Sequence, residues 1–66
     1  MIIRANGESL EIEDSSTVKS LLKKLDIPET RIAVELNKVV ISRSKILETV
    51  LQDGDEIEIV KAIGGG

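Results

Sequence analysis

Along the first dozen residues, apolar and polar positions alternate. Ile3 and Ala5 can face one way while Arg4 and Asn6 face the other; after Gly7 the alternation resumes, with Leu10 and Ile12 set between Ser9, Glu11 and Glu13. A period of two belongs to a strand with one dry face and one wet face. Asn6-Gly7 between the two runs supplies the residues that a tight type I′ turn needs, so a hairpin is predicted to start the chain. The period then lengthens. Asp14-Ser15-Ser16-Thr17 offers N-cap side chains, and Val18, Leu21, Leu22 and Leu25 recur at the spacing of one helical stripe. Lys23 and Lys24 suit the negative end of that helix, and Pro28 biases Ile27 away from helical geometry, which predicts a stop near Asp26.

From Ile32 the period returns to two. Ile32, Val34 and Leu36 alternate with polar or small residues, Asn37-Lys38 can turn, and Val39, Val40 and Ile41 read as a short β-branched strand. Ser42 to Gln52 fits two patterns: a helical turn capped by Ser44, or an irregular loop anchored by Ile46, Leu47, Val50 and Leu51. Asp53-Gly54-Asp55 signals a turn, and Ile57 and Ile59 then alternate with Glu56 and Glu58 into a last strand reaching about Val60 or Lys61. Two strands, a helix, two strands and a final strand suggest an α+β domain in which one helical stripe covers one face of a mixed sheet of four to five strands. If the first and last strands are neighbours, the helix lies on a single face and the other face is left to water or a partner. This is the layout of the β-grasp, or ubiquitin-like, fold. It predicts a domain over residues 1–63 and a flexible tail over residues 64–66.

Composition narrows the chemistry. The 66-residue chain has no Cys and no His, which removes the usual zinc ligands, the thiol nucleophile and the commonest general base near neutral pH. No aromatic residue is present, so the core must be aliphatic. An independent enzyme is not expected, nor is a bound metal or other cofactor. The net charge of −3, with acids and bases interspersed, provides no electrostatic footprint for nucleic acid or an anionic bilayer. Met1 leads directly into Ile2 and Ile3 without a basic region and a long apolar run, so neither a leader nor a membrane span is expected and a cytoplasmic protein is the default. Asp53-Gly54-Asp55 lacks the spread of oxygen ligands of a calcium loop. Glu8, Glu11 and Glu13 read as a solvated face rather than an acid pair, because no nucleophile or pocket accompanies them.

The end of the chain is the distinctive feature. Three of the five glycines, Gly64, Gly65 and Gly66, follow a strand instead of making a turn. Glycine minimises bulk and permits unusual backbone angles, so such a terminus can thread a narrow cleft and present its carboxylate unhindered. That carboxylate is ionised at neutral pH and unreactive toward substitution. It must first be activated, and attack on the α-phosphate of ATP would give an acyl-adenylate that sulfur or an amine can open. The ATP site would lie on another protein.

The stretch from Leu51 to Val60 (LQDGDEIEIV), followed by Ala62-Ile63-Gly64-Gly65-Gly66, resembles the sulfur carrier proteins of thiamin biosynthesis, the ThiS family. Thr17-Val18, Leu21-Leu22, Leu25, Val34-Glu35-Leu36-Asn37 and Arg43 extend the resemblance over nearly the whole chain; Ser42 departs from it, since many members carry Pro there. The resemblance implies that an E1-like adenylyltransferase, using ATP and Mg, activates Gly66. Sulfur relayed from cysteine by a desulfurase- or rhodanese-type protein would then form a thiocarboxylate, from which thiazole synthase receives the sulfur. Ile63, Gly64 and Gly65 would thread the partner's active site. On the sheet face away from the helix, the strand phases expose Ile2, Arg4, Ala33, Glu58 and Val60, a candidate docking face for the activating enzyme. The alternatives are the small subunit of molybdopterin synthase, whose members are usually longer and richer in aromatics, a ubiquitin-like modifier joined to lysines, and a noncovalent interaction domain with an idle tail.

Overall fold

The two-residue loop at Asn6-Gly7 has positive φ at both positions (50° and 84°), as a type I′ turn requires, and it joins β1 (Ile2–Ala5) to β2 (Glu8–Glu11) in antiparallel register. Asn37-Lys38 repeats the device (52° and 70°) between β3 (Ile32–Leu36) and β4 (Val39–Ile41). β5 (Glu56–Lys61) runs parallel to β1 and antiparallel to β3, which completes a five-stranded mixed sheet in the order β2-β1-β5-β3-β4. The computed structural model describes residues 1–61.

The helix α1 (Val18–Lys24) lies on one face of this sheet. Thr17 caps it with a reciprocal pair of bonds: Thr17 Oγ1 accepts from the Ser20 N–H (3.1 Å), and Ser20 Oγ accepts from the Thr17 N–H (2.8 Å). Val18, Leu21 and Leu22 are buried against Ile3, Val34, Ile57 and Ile59 of the sheet and against Ile12, Ile46 and Leu51. Each such side chain contributes about 2 kcal/mol through burial. The core is wholly aliphatic, and no polar or charged residue is buried among the described residues.

Leu25 departs from the expected stripe. The chain leaves the helix there because Asp26 takes a left-handed conformation (φ 58°), its N–H donating to the Lys23 carbonyl (3.1 Å) and that of Ile27 to the Leu22 carbonyl (2.9 Å). These two bonds form a Schellman closure, with Asp standing where glycine is usual, and Leu25 is left 37% exposed.

Between β4 and β5 both patterns read from the sequence occur in succession. A short helix, α2 (Arg43–Ile46), is followed by irregular chain. Its N-cap is Ser42 and not Ser44: the Ser42 carbonyl already accepts from the Lys45 and Ile46 N–H groups, so the helix begins two residues earlier than a Ser44 cap would permit. Ile46 and Leu51 anchor the segment in the core, whereas Leu47 and Val50 are exposed. The Leu51 N–H donates to the Ser16 carbonyl (2.7 Å) and the Val18 N–H to the Thr49 carbonyl (2.9 Å), which fixes the loop to the start of α1.

Candidate functional site

The candidate reactive residue Gly66, with Ile63, Gly64 and Gly65, lies outside the described residues, as does the boundary expected at residue 63. The structure does describe the root of that segment. β5 occupies the centre of the sheet, with β1 on one side and β3 on the other, and it reaches Lys61 opposite Ile32.

Two turn asparagines hold β5. Along β1, the Arg4 N–H donates to the Asp55 carbonyl (2.8 Å) and the Asn6 N–H to the Ile57 carbonyl (2.9 Å), successive rungs of the parallel ladder. The backbone of β1 turns away at that point. The next rung is made by the Asn6 side chain, whose Nδ2 donates to the Ile59 carbonyl (3.3 Å) and whose Oδ1 accepts from the Ile59 N–H (2.8 Å). A side-chain amide here substitutes for a peptide group. At the other end of β5, Asn37 donates its N–H to the Glu56 carbonyl (2.7 Å) and accepts the Glu56 N–H at Oδ1 (2.9 Å), while its Nδ2 donates to Asp55 Oδ1 (3.1 Å). Each asparagine therefore closes its own hairpin and also pins the strand that leads to the glycines.

Of the five residues expected on the open face, Ile2, Arg4, Ala33, Glu58 and Val60, all are exposed. They are spread along the length of that face. Ala33 is directly opposite Val60, and Glu58 is two residues back along the same strand, so these three gather beside the root of the tail. Arg4 is opposite Glu56, which places Ile2 roughly 20 Å from Val60 along the strand direction at about 3.3 Å per residue. Sequence reasoning missed Glu35, which the register sets directly opposite Glu58. Two like charges facing across a ladder are unfavourable by themselves, and a basic group on a partner would relieve them. Among the described residues, no group of three or more His, Cys, Asp or Glu side chains is arranged to hold a metal ion.

The order of elements, the mixed sheet with parallel first and last strands, and the single covering helix define a β-grasp domain of the ubiquitin-like class. In the sequence its central strand is followed by Ala62, Ile63 and three glycines. The chain belongs to the ThiS family, whose model matches residues 2–66. It is 30% identical to the sulfur carrier protein ThiS of Escherichia coli over 66 residues, covering the whole of both chains. It also superimposes on the crystal structure of the thiamine biosynthesis protein ThiS from Geobacter metallireducens with a TM-score of 0.85 at 32% identity, again over the full length of both. A thiazole synthase from Magnetococcus marinus is 44% identical over 66 residues. The chain spans about a fifth of that relative and of the thiazole synthase of Paramagnetospirillum magneticum (20% and 19%).

Proposed function

We propose that this protein is the sulfur carrier of thiamin biosynthesis and acts as a cosubstrate whose reacting group is the Gly66 carboxylate. An E1-like adenylyltransferase catalyses attack of a carboxylate oxygen on the α-phosphate of ATP, with pyrophosphate leaving and Mg neutralising the phosphates. A sulfur nucleophile from a cysteine desulfurase or rhodanese-type relay then displaces AMP. That nucleophile is a persulfide sulfur, so the first product is an acyl disulfide with the relay cysteine. A second thiol reduces its sulfur–sulfur bond, releasing the thiocarboxylate and forming a disulfide with the relay cysteine. Thiazole synthase takes that sulfur into its product, and an oxygen from the sulfur acceptor or from water restores the carboxylate. The carrier supplies an unhindered terminus and a handle, and the partners supply the chemistry.

The observation that carries this reading is the full-length match to the ThiS family on a chain ending in three glycines. The thiazole synthases of which this chain spans about a fifth support the last partner. The Ala33, Glu58 and Val60 cluster beside the root of the tail is the part of the open face suited to docking the activating enzyme, with Glu35 adding to its charge.

Intact-mass measurement after incubation with the cognate adenylating enzyme, ATP and a sulfur donor tests the chemistry. One oxygen of the terminus is expected to be exchanged for sulfur, and the product is expected to disappear when Gly66 is deleted. Stable conjugates to lysine in place of the thiocarboxylate would overturn the carrier reading in favour of a modifier. For docking, Val60→Asp is expected to slow adenylation and Ile2→Asp, at the far end of the face, to leave it nearly unchanged. Equal effects would remove the tail-proximal site.

A further inference from the structure

The two edges of the sheet are protected unequally. β2 carries Glu8 and Glu11 along its length, the kind of charge that discourages strand addition. β4 carries Val39, Val40 and Ile41 and no charge. Val39 and Val40 are the most exposed large hydrophobic residues described, at 66% and 69%. In a hairpin closed by a two-residue turn, the pair flanking the turn exchanges both hydrogen bonds and the next pair exchanges none. Leu36 and Val39 flank the turn, so Val40, opposite Glu35, directs its N–H and carbonyl outward, away from β3. Alongside this free edge runs an open groove of about 430 Å³, lined by Leu36, Val39, Val40, Ile41, Lys45 and Thr49 among others.

Charge identifies what fits there. Residues 38–45 contain Lys38, Arg43 and Lys45 and no acidic residue, in a chain whose net charge is −3. Lys45 lines the groove and Lys38 stands in the turn that opens β4. The ion pair found among the described residues joins the Met1 ammonium to Asp14, elsewhere in the domain, so these two lysines have no acidic partner within the described residues. An apolar groove, a free backbone edge and lysines at its margin together match one ligand chemistry. We propose that β4 accepts an extended segment of a partner protein, with alternating apolar and acidic residues, as a sixth strand. Its backbone pairs with Val40, its apolar side chains cover Val39 and Leu36, and its carboxylates meet Lys38 and Lys45. This edge lies one strand beyond Glu35, at the margin of the open face, and pairing there leaves β5 untouched.

The test uses the isotopically labelled full chain and two capped hexapeptides as probes, EVDVEV and its charge-reversed counterpart KVKVKV. With the acidic peptide, NMR shifts are expected at Val39 to Ile41 and at Lys45 to Thr49, together with slowed amide exchange at Val40. Lys38→Glu combined with Lys45→Glu is expected to weaken binding by about tenfold or more while the β5 resonances stay in place, which reports an intact fold. Equal binding of the basic peptide, shifts on β2 instead, or no shift at millimolar peptide would overturn the proposal. Concentration-dependent shifts at β4 without peptide would also do so, since they would assign the edge to a second copy of the chain.

Discussion

Replacing Asn6 with Ala separates the two tasks of that residue. The turn requires φ near 50° at this position, which costs an ordinary L-residue about 1 kcal/mol relative to Asn. The substitution also removes both side-chain bonds to Ile59, a residue only 8% exposed, and leaves its N–H without the 2.8 Å acceptor. Losing a satisfied bond to a largely buried donor costs about 1 to 2 kcal/mol, so Asn6→Ala should cost about 2 to 3 in all. For a domain of this size that corresponds to a fall in Tm of roughly 10 to 20 °C. Asn6→Gly keeps the turn geometry and loses only the bonds, so it should cost about 1 kcal/mol less. Urea unfolding followed by far-UV circular dichroism is the appropriate assay, because the chain has no aromatic residue to report by fluorescence. Amide exchange at Ile59 should accelerate in both variants. If Asn6→Ala stays within about 0.5 kcal/mol of the parent, or if the glycine variant is the less stable of the two, the assignment of Asn6 as a clamp on β5 is wrong.

Two further substitutions probe the helix that covers the sheet. Thr17→Ala breaks the reciprocal cap with Ser20 and should cost about 1 kcal/mol in the same urea assay, and a neutral result would show that the loop around Thr49 and Val50 fixes the helix start unaided. Asp26→Gly should stabilise the protein by about 0.5 to 1 kcal/mol, because glycine takes the left-handed position of the Schellman closure without the steric cost, and a loss of stability would mean that the Asp26 side chain has a role beyond the turn.

Much of the fold could be read from local pattern. The two turns with asparagine in the first position, the stripe at Val18, Leu21 and Leu22, and the alternation through Ile57 and Ile59 each express a rule that acts over a few residues. The features that escaped are those decided at a distance. Asn6 looks like a turn residue and nothing more until a strand 53 residues away is beside it. Leu25 satisfies the helical period, but the αL turn at Asp26 removes it from the helix. Ser42 and Ser44 are equally good caps in sequence, and the backbone direction arriving from β4 decides between them. In the candidate site, period alone found the exposed face, but the register between β1 and β5 was needed to see that Ile2 and Val60 stand at its opposite ends.

The parallel pairing of β1 with β5 also has a mechanical meaning. The chain enters at one end of this central pair and β5 leaves at the other, so a pull between the two termini acts along the strands. It loads their bonds in shear, many at once, instead of peeling them apart in turn. β5 is gripped on both flanks, by β1 with its asparagine rung and by β3. On the carrier reading proposed above, a partner that grips the terminal segment would load the domain along its strands and release it still folded.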